Sequence, residues 1–542
     1  MVRDSQRKRA AVVVVAASCA LLLASGCTRT SRDALQADRL GDTDGYSIEN
    51  ISTGSAQHEL RHNPALPRRY FILTFSGGGT RAAALAHGVL RELGATPAPE
   101  VTGMTLLDGV DMISSTSGGS VAATNFVLHG PDKYGRLHET GGFLHHGGMA
   151  DIILAALNPI NAANFTLTSA SRIETLSDMF RRKVTDNATF ADLLAQKDSR
   201  HVPLLILNAA DMATGERFSF TQRQLDRLCL NLRDIRLDDA TAASAAYPVA
   251  LTPLPLPIRS PCVPHVLEAA RGGLCGQLGS DTDVRSCHVL QDFMLEARMD
   301  DSCGAAGGRS PILFSDTFQS TPRGMRQWHL LNLDACGNEL PAEQRMSFVH
   351  LIDGGAADNL GLAAPLETLT AGNILTKALE AGRIEEVVII SVNARSQGEL
   401  AIGRDGATPG IFSMAWNSIG TAIDNRSGGL LAQLDTLETL FRDRYRRFGD
   451  KAPKVRSIAV DFERIADPKC RADFQNVSTN WSLKDHQIDA LQQVASAMLR
   501  ADPHYRKLVG ASEDPKVGLD RARSACQRVI DRHYKGELMF GE

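Results

Sequence analysis

The chain of 542 residues carries a formal net charge of −4, with 22% charged and only 5% aromatic residues. A mildly acidic chain is poorly suited to bind nucleic acid, or to bind anionic lipid by charge alone. Membrane association would therefore have to come from acylation or from apolar contacts.

The first 26 residues have the pattern of an export signal. A basic start at residues 3–9 precedes an apolar run at 10–24, which is too short to span a membrane and ends in small residues. Leu23-Ala24-Ser25-Gly26-Cys27 resembles a bacterial lipobox, which implies that Cys27 is acylated and becomes the mature N-terminus. The residue after Cys27 is Thr28 and not an aspartate. By the same resemblance, this favours the outer over the inner membrane of a bacterial cell envelope. The alternative is ordinary signal cleavage that leaves Cys27 as a plain thiol.

Three further regions follow the signal. Residues 27–66 are polar and predict a flexible tether, residues 67–500 predict the main domain, and residues 501–542 a C-terminal extension.

An insertion at about 252–345 contains five cysteines of the mature chain. An even number of cysteines in an exported chain favours disulfides, whose pairing the sequence leaves open. A zinc site is the rival, but C-x-x-C and paired-histidine spacings are absent, so we expect no metal. Apart from Cys27, the mature cysteines are Cys229, Cys262, Cys275, Cys287, Cys303, Cys336, Cys470 and Cys526.

Strand and helix patterns alternate along the main domain. This alternation predicts an α/β fold in three layers, with a mostly parallel central sheet between helices. The predicted strands are 70–75, 110–115, 203–208, 348–352, 387–392 and 455–462, and the predicted helices are 81–93, 118–128, 414–423, 430–448 and 483–499.

The segment 149–165 interrupts the alternation. It is apolar on most faces and lies among glycine and asparagine residues. Two interpretations stay open, a mobile lid that meets lipid and a helix packed under the sheet.

A glycine-rich turn follows the first predicted strand, in Ser76-Gly77-Gly78-Gly79-Thr80-Arg81. Glycines let backbone N–H groups approach a ligand, and the dipole of the next helix adds positive potential. Gly77, Gly78 and Gly79 are therefore candidates for an oxyanion hole. A phosphate-binding loop is the rival, but its lysine signature is absent and the last glycine of the dinucleotide pattern is replaced by Ala82. Arg81 could orient the loop, meet an anionic headgroup or form a salt bridge at the helix start.

Ser117 is the candidate nucleophile. It stands between a strand and a helix in Ser115-Thr116-Ser117-Gly118-Gly119, where a sharp turn exposes the hydroxyl and small neighbours are needed. The pattern alone is weak, because Ser427-Gly428-Gly429 resembles it. Ser427 follows a predicted helix, which favours a turn serine there.

Asp353 is the candidate base for that serine. It ends an apolar strand and is followed by Gly354-Gly355. A histidine base is the usual alternative, and His486, His504 and His533 follow Asp353, but none has a motif around it.

These three elements, in this order, resemble the patatin-like phospholipase family. The family pattern G-G-G-x-R-G matches 77–82 except at Ala82, G-x-S-x-G matches 115–119 except at Ser115, and D-G-[GA] matches 353–355. Segments 208–215 and 243–248 also resemble internal segments of the family.

The resemblance implies a serine acyl hydrolase of phospholipase A or lysophospholipase type. Ser117 and Asp353 would form a catalytic dyad without histidine, the glycine loop would hold the oxyanion, and no cofactor would be needed. The expected partner is a membrane lipid or lipid ester. Two alternatives remain, an α/β-hydrolase esterase with a histidine base and a non-catalytic lipid-binding lipoprotein.

Overall fold

The computed structural model describes residues 62–259 and 340–510, together with Asn332 and Cys526. Within those ranges it leaves out 64–65, 67, 132, 139–141, 146–171, 197–198, 226–227, 229, 249–250, 371–373, 396–410 and 478–482, and the side chains of 223, 370, 374, 411–419, 421–422 and 424–425. Cys27, the predicted tether up to residue 61, the segment 149–165 and His533 therefore lie outside the described residues.

Eight strands form one sheet in the order β5-β6-β3-β2-β1-β7-β8, and β4 pairs with β3 beside this path. The run from β3 to β8 is parallel, whereas β4, β5 and β6 are joined by antiparallel pairings. The prediction of a mostly parallel α/β sheet is confirmed. The strands are β1 (Arg69–Phe75), β2 (Val110–Thr116), β3 (Leu204–Asp211), β4 (Arg217–Ser219), β5 (Leu254–Pro257), β6 (Phe348–Asp353), β7 (Glu386–Asn393) and β8 (Lys454–Asp461).

Helices cover both faces of the sheet and make the fold three-layered. Along β1, Phe71 and Leu73 belong to one buried apolar cluster, whereas Tyr70 and Ile72 belong to a second cluster. Successive side chains of a strand point to opposite faces, so the two clusters lie on the two sides of the sheet. This explains why the central strands β1, β2, β3 and β7 are buried at nearly every position.

Thirteen α-helices lie in the described residues. The helices are α1 (Gly79–Ala95), α2 (Gly118–His129), α3 (Arg172–Phe180), α4 (Phe190–Ala195), α5 (Gln222–Leu225), α6 (Leu237–Ser244), α7 (Gly355–Asp358), α8 (Ala363–Thr370), α9 (Ile374–Glu380), α10 (Ile411–Tyr445), α11 (Pro468–Gln475), α12 (Asp485–Ala501) and α13 (Pro503–Leu508).

The helix α10 corrects one prediction. The sequence predicts two helices, 414–423 and 430–448, with a turn at Ser427, but the structure has a single helix across this position. The hydroxyl of Ser427 donates a hydrogen bond to the carbonyl of Ile423 one turn earlier, at 2.8 Å. Paired glycines lower helix propensity by only about 1 kcal/mol each, which a long helix can tolerate.

Strand β5 lies at the start of the predicted insertion and was not predicted. Its sequence, Leu254-Pro255-Leu256-Pro257, pairs antiparallel with β6 at the edge of the sheet. Prolines cannot donate a ladder hydrogen bond, so they are confined to edges such as this one.

The described residues contain one disulfide, between Cys470 and Cys526, whose Cα atoms are 5.4 Å apart. It joins α11 to the segment predicted as a C-terminal extension. The other six cysteines that we expect in disulfides lie outside the described residues. Over the same residues, no helix has the length and apolar character of a membrane span.

Candidate active site

Ser117 lies on a strained elbow between β2 and α2. Its backbone has φ 52° and ψ −123°, a conformation that costs a non-glycine residue free energy and is typical of functional sites. The two following glycines have no room for a Cβ atom: at Gly118 it would overlap the backbone of Gly79, and at Gly119 it would lie 2.6 Å from the carbonyl oxygen of Ser76. The elbow therefore requires the small residues that the sequence places there.

The side chain of Ser117 contacts Asp353, which is 236 positions away in sequence. The hydroxyl donates a hydrogen bond of 2.7 Å to Oδ2 of the carboxylate. Ser117 is 5% exposed and Asp353 is 6% exposed, so the pair is largely shielded from water. In the described part of the chain, no histidine is hydrogen-bonded to either residue.

Asp353 reaches the elbow because β6 runs antiparallel to β3. Strand β3 extends beyond the end of β2, and β6 pairs with that extension from Leu351 opposite Asp211 to Asp353 opposite Ala209. The neighbouring residue Asn208 is opposite Thr116, directly before the nucleophile. The last residue of β6 therefore arrives beside Ser117.

Burial raises the pKa of Asp353 from 3.8 to about 6. The hydroxyl of Ser117 and the N–H of Gly355, which donates to Oδ1 at 2.7 Å, oppose this rise because they stabilise the carboxylate. A carboxylate with a raised pKa binds a proton more readily than an exposed aspartate, which improves it as a general base.

The glycine loop lies against the elbow, but its three N–H groups are not equivalent. Gly77 donates its N–H to the carbonyl of Asn359 at 2.8 Å, so this group links the loop to the Asp353 segment. Within the described residues, the N–H groups of Gly78 and Gly79 have no acceptor. Gly78 and Gly79 have φ 135° and 58°, values that favour glycine. Of the three glycines predicted to form the oxyanion hole, only Gly78 and Gly79 therefore have an available N–H group in this conformation.

A third candidate donor is the N–H of Gly118, which also has no acceptor among the described residues. The sequence interpretation did not include it, although the residue after an elbow nucleophile commonly supplies an oxyanion donor. Gly79 and Gly118 are the first residues of α1 and α2, and their backbones are in contact. Two helix N-termini therefore converge here and favour negative charge.

Arg81 supports the loop from inside the protein. It is 1% exposed, and its Nη1 donates to the carbonyl of Val477 at 2.5 Å and to that of Gln475 at 3.5 Å. Burial lowers its pKa to about 10. The guanidinium is close to Gly78, so this position suits orientation of the loop and does not present the charge to a headgroup.

Asp358 and Asn359 occupy the segment after the base. Asp358 is fully buried and accepts the N–H groups of Leu362 and Ala363, at 3.2 and 2.8 Å, so its carboxylate caps α8. Burial raises its pKa. The backbone carbonyl of Asn359 accepts the N–H of Gly77, so Asn359, and not Asp358, orients the glycine loop.

Two polar residues near the site were missed by the sequence interpretation. Asn208 donates through Nδ2 to the hydroxyl of Ser114 and to the carbonyl of Ser115, both at 3.0 Å. Ser244 accepts the backbone N–H of Ser117 at 2.9 Å. Asn208 lies in segment 208–215 and Ser244 in segment 243–248, the two internal segments that resemble the patatin-like family. That resemblance is the sequence signal that could have found them.

Two histidines close to the motifs have no contact with the dyad. His87 is 1% exposed within α1, where burial lowers its pKa to about 3. His350 is exposed on β6, and its carbonyl accepts the N–H of Met212. Among the described residues, no group of three or more His, Cys, Asp or Glu side chains is arranged to hold a metal ion.

No protein-family profile and no curated protein matches this sequence. Among solved structures, the chain is similar to human GIVD cytosolic phospholipase A2, with 12% identity and a TM-score of 0.34. The match covers 89% of this chain but only 64% of that one, so the chain spans less than two thirds of its length. A likeness this distant defines neither a shared fold nor a shared activity, and the function has to be inferred from the site itself.

Proposed function

We propose that this chain is a serine acyl hydrolase of the patatin-like type, which cleaves fatty-acyl esters of lipids with Ser117 and Asp353 as its catalytic dyad. The observation that carries the proposal is the 2.7 Å hydrogen bond from the Ser117 hydroxyl to the buried Asp353 carboxylate. A serine on a strained elbow, bonded to a base of raised pKa, has the arrangement of an activated nucleophile.

The first half of the reaction forms an acyl-enzyme. Oγ of Ser117 attacks the ester carbonyl carbon as Asp353 takes the hydroxyl proton, and the carbonyl oxygen becomes an oxyanion. The N–H groups of Gly78, Gly79 and Gly118, which have no acceptor among the described residues, would hold that oxygen, and such donors contribute several kcal/mol to the transition state. The intermediate then expels the alcohol, which receives the proton from Asp353.

The second half of the reaction releases the fatty acid. Water attacks the acyl-enzyme carbonyl while Asp353 takes one of its protons, and the same N–H groups hold the second oxyanion. Collapse of this intermediate breaks the bond to Oγ, which regains the proton. No cofactor takes part in either half.

The two alternatives predict different sites. A histidine-based esterase requires a histidine next to Ser117, whereas the hydroxyl here bonds Asp353. A non-catalytic lipid-binding protein has no need to keep the strained elbow, which costs about 1 to 3 kcal/mol. Retention of Ser117, Asp353 and the loop glycines therefore favours catalysis.

Lipid esters are the proposed substrates because the chain combines this site with a lipobox-like sequence at Cys27. Acylation of Cys27 would hold the enzyme at a bacterial envelope membrane, with its substrates in the same membrane.

The test is release of fatty acid from a panel of phospholipid, lysophospholipid, glyceride and thioester substrates by the purified chain. We expect Ser117→Ala to lower kcat/KM at least about 10³-fold, and Ser427→Ala, the matched serine in α10, to leave it within about twofold. His486→Ala should also stay close to wild type. Equal release by wild type and Ser117→Ala would place the chemistry elsewhere, and loss of turnover in His486→Ala would favour the histidine esterase.

A further inference from the structure

The turn after α6 lies between the nucleophile and the base. Ser244 is the last residue of α6 and is fully buried. Its hydroxyl accepts the N–H of Ser117 at 2.9 Å and donates to the carbonyl of Asn208 at 2.6 Å. The side chain of Ser244 therefore fixes the backbone of the nucleophile to strand β3.

The same turn also binds the segment that carries the base. The carbonyl of Ser244 accepts the N–H of Gly354 at 3.1 Å, and the carbonyl of Ala246 accepts the N–H of Asp353 at 2.9 Å. Ser244 thus contacts the nucleophile through its side chain and the base segment through its backbone.

This double contact matters because the dyad comes from two strands that are not neighbours in the sheet. Strand β2 delivers Ser117 and β6 delivers Asp353, with β3 between them. A strained elbow relaxes unless its surroundings hold it, and a misplacement of about 1 Å can cost about 10²-fold in rate. A rigid element that touches both sides can set the distance between their side chains.

We propose that Ser244 is a positioning residue that holds the Ser117 elbow in register with Asp353. This inference rests on the proposed function, because it assigns Ser244 a part in that same site. Ser244 does not touch the reacting atoms. It acts by fixing the backbone N–H of Ser117, so that the hydroxyl of Ser117 stays directed at Oδ2 of Asp353.

The test compares Ser244→Ala with a control from the same helix. Thr241 is also fully buried, and its hydroxyl bonds the hydroxyl of Thr124 at 3.0 Å and the carbonyl of Leu237 at 2.6 Å, without contact to the dyad. Thr241→Val removes that hydroxyl at nearly constant volume. Both variants delete one buried hydroxyl from α6, so a merely structural role should affect them alike.

We expect Ser244→Ala to lower kcat about 10²-fold, with KM within about threefold and a melting temperature close to that of Thr241→Val. We expect Thr241→Val to keep kcat within about threefold. A kcat in Ser244→Ala no lower than in Thr241→Val would overturn the inference. If Ser244→Ala does not fold, Ser244→Cys replaces it, because the thiol is of similar size but a weak acceptor, and a kcat equal to wild type would again overturn the inference.

A second readout is independent of turnover. The carboxyl carbon of Asp353 can be titrated by NMR in the full chain with ¹³C-labelled aspartate, using Asp353→Asn for assignment. The Ser117 hydroxyl lowers the pKa of Asp353, so misplacement of that hydroxyl in Ser244→Ala should raise the pKa in the same direction as Ser117→Ala does. An unchanged titration in Ser244→Ala would overturn the inference. Absence of hydrolysis by the wild type would instead contradict the proposed function and leave the NMR comparison decisive for Ser244.

Discussion

The chain contains the tripeptide Ser-Gly-Gly three times, and the two copies at 117–119 and 427–429 fold differently. At 117–119 it forms the elbow between β2 and α2, with a strained serine whose hydroxyl faces Asp353. At 427–429 it lies inside α10, where the serine hydroxyl donates to a carbonyl of its own helix. The difference shows that the preceding element decides what such a serine can do.

The glycines of the two copies differ in the same way. Gly118 and Gly119 are in close backbone contact with the glycine loop and with β1. Around Gly428 and Gly429, by contrast, the described residues place no atom outside the helix's own backbone within 4 Å of where a Cβ would stand. In the elbow, glycine is needed for space. In α10 it only lowers helix propensity.

The largest expected contrast comes from adding one methyl group to each copy. Gly118→Ala places a Cβ against the backbone of Gly79, which cannot move without displacing the loop, and should destabilise the fold by about 3 kcal/mol or more. Gly428→Ala lies on an exposed helix surface and should stabilise it by about 0.5 to 1 kcal/mol. Urea unfolding of the two variants measures both values. Equal effects at the two positions would contradict the difference in packing.

A smaller effect comes from Asp353, which is hydrogen-bonded to Ser117 but not to Ser427. Burial raises the pKa of Asp353 from 3.8 in an unfolded chain to about 6, so the native state holds the proton more tightly. The resulting stabilisation is complete below about pH 3.8 and is lost as the pH rises through 6. At pH 8 the carboxylate is ionised, and its burial lowers the free energy of unfolding by about 3 kcal/mol. Asp353→Asn should therefore raise the free energy of unfolding at pH 8 by about 2 to 3 kcal/mol, at the expense of activity.

Unfolding at two pH values tests this prediction. The gain from Asp353→Asn should shrink to about 0.5 kcal/mol near pH 4, where the wild-type carboxyl is neutral in the native state and only partly ionised in the unfolded chain. Ser427→Ala is the control and should change little at either pH. A gain of equal size at pH 8 and pH 4 would mean that charge burial is not its cause.

Much of the fold near the site could be predicted because its signals are local. Strand β1 and helices α1 and α2 are bounded by glycines and have clear apolar patterns, so the sequence locates them to within two residues. Ser117 and Asp353 could be selected because each follows a strand and precedes a tight glycine turn. These features depend only on neighbours in the chain.

The remaining features depend on contacts that are distant in sequence. Nothing local to β6 indicates that it pairs antiparallel with β3, although this pairing delivers Asp353 to Ser117. The N–H of Gly77 is not available to a substrate because the carbonyl of Asn359 accepts it, and this depends on where Asn359 lies. The contact of Ser244 with Ser117 depends on the position of α6. The prolines of β5 argue against a strand until an edge position is known.

The central claim is that Asp353 alone activates Ser117, and covalent labelling by a fluorophosphonate tests it most directly. The label should map to Ser117 by mass spectrometry, and its rate should fall about tenfold per pH unit below about pH 6, where Asp353 becomes protonated. Asp353→Asn should slow labelling at least about 10²-fold, whereas His486→Ala should leave it unchanged. Labelling at another residue, or a rate that does not depend on Asp353, would contradict the account.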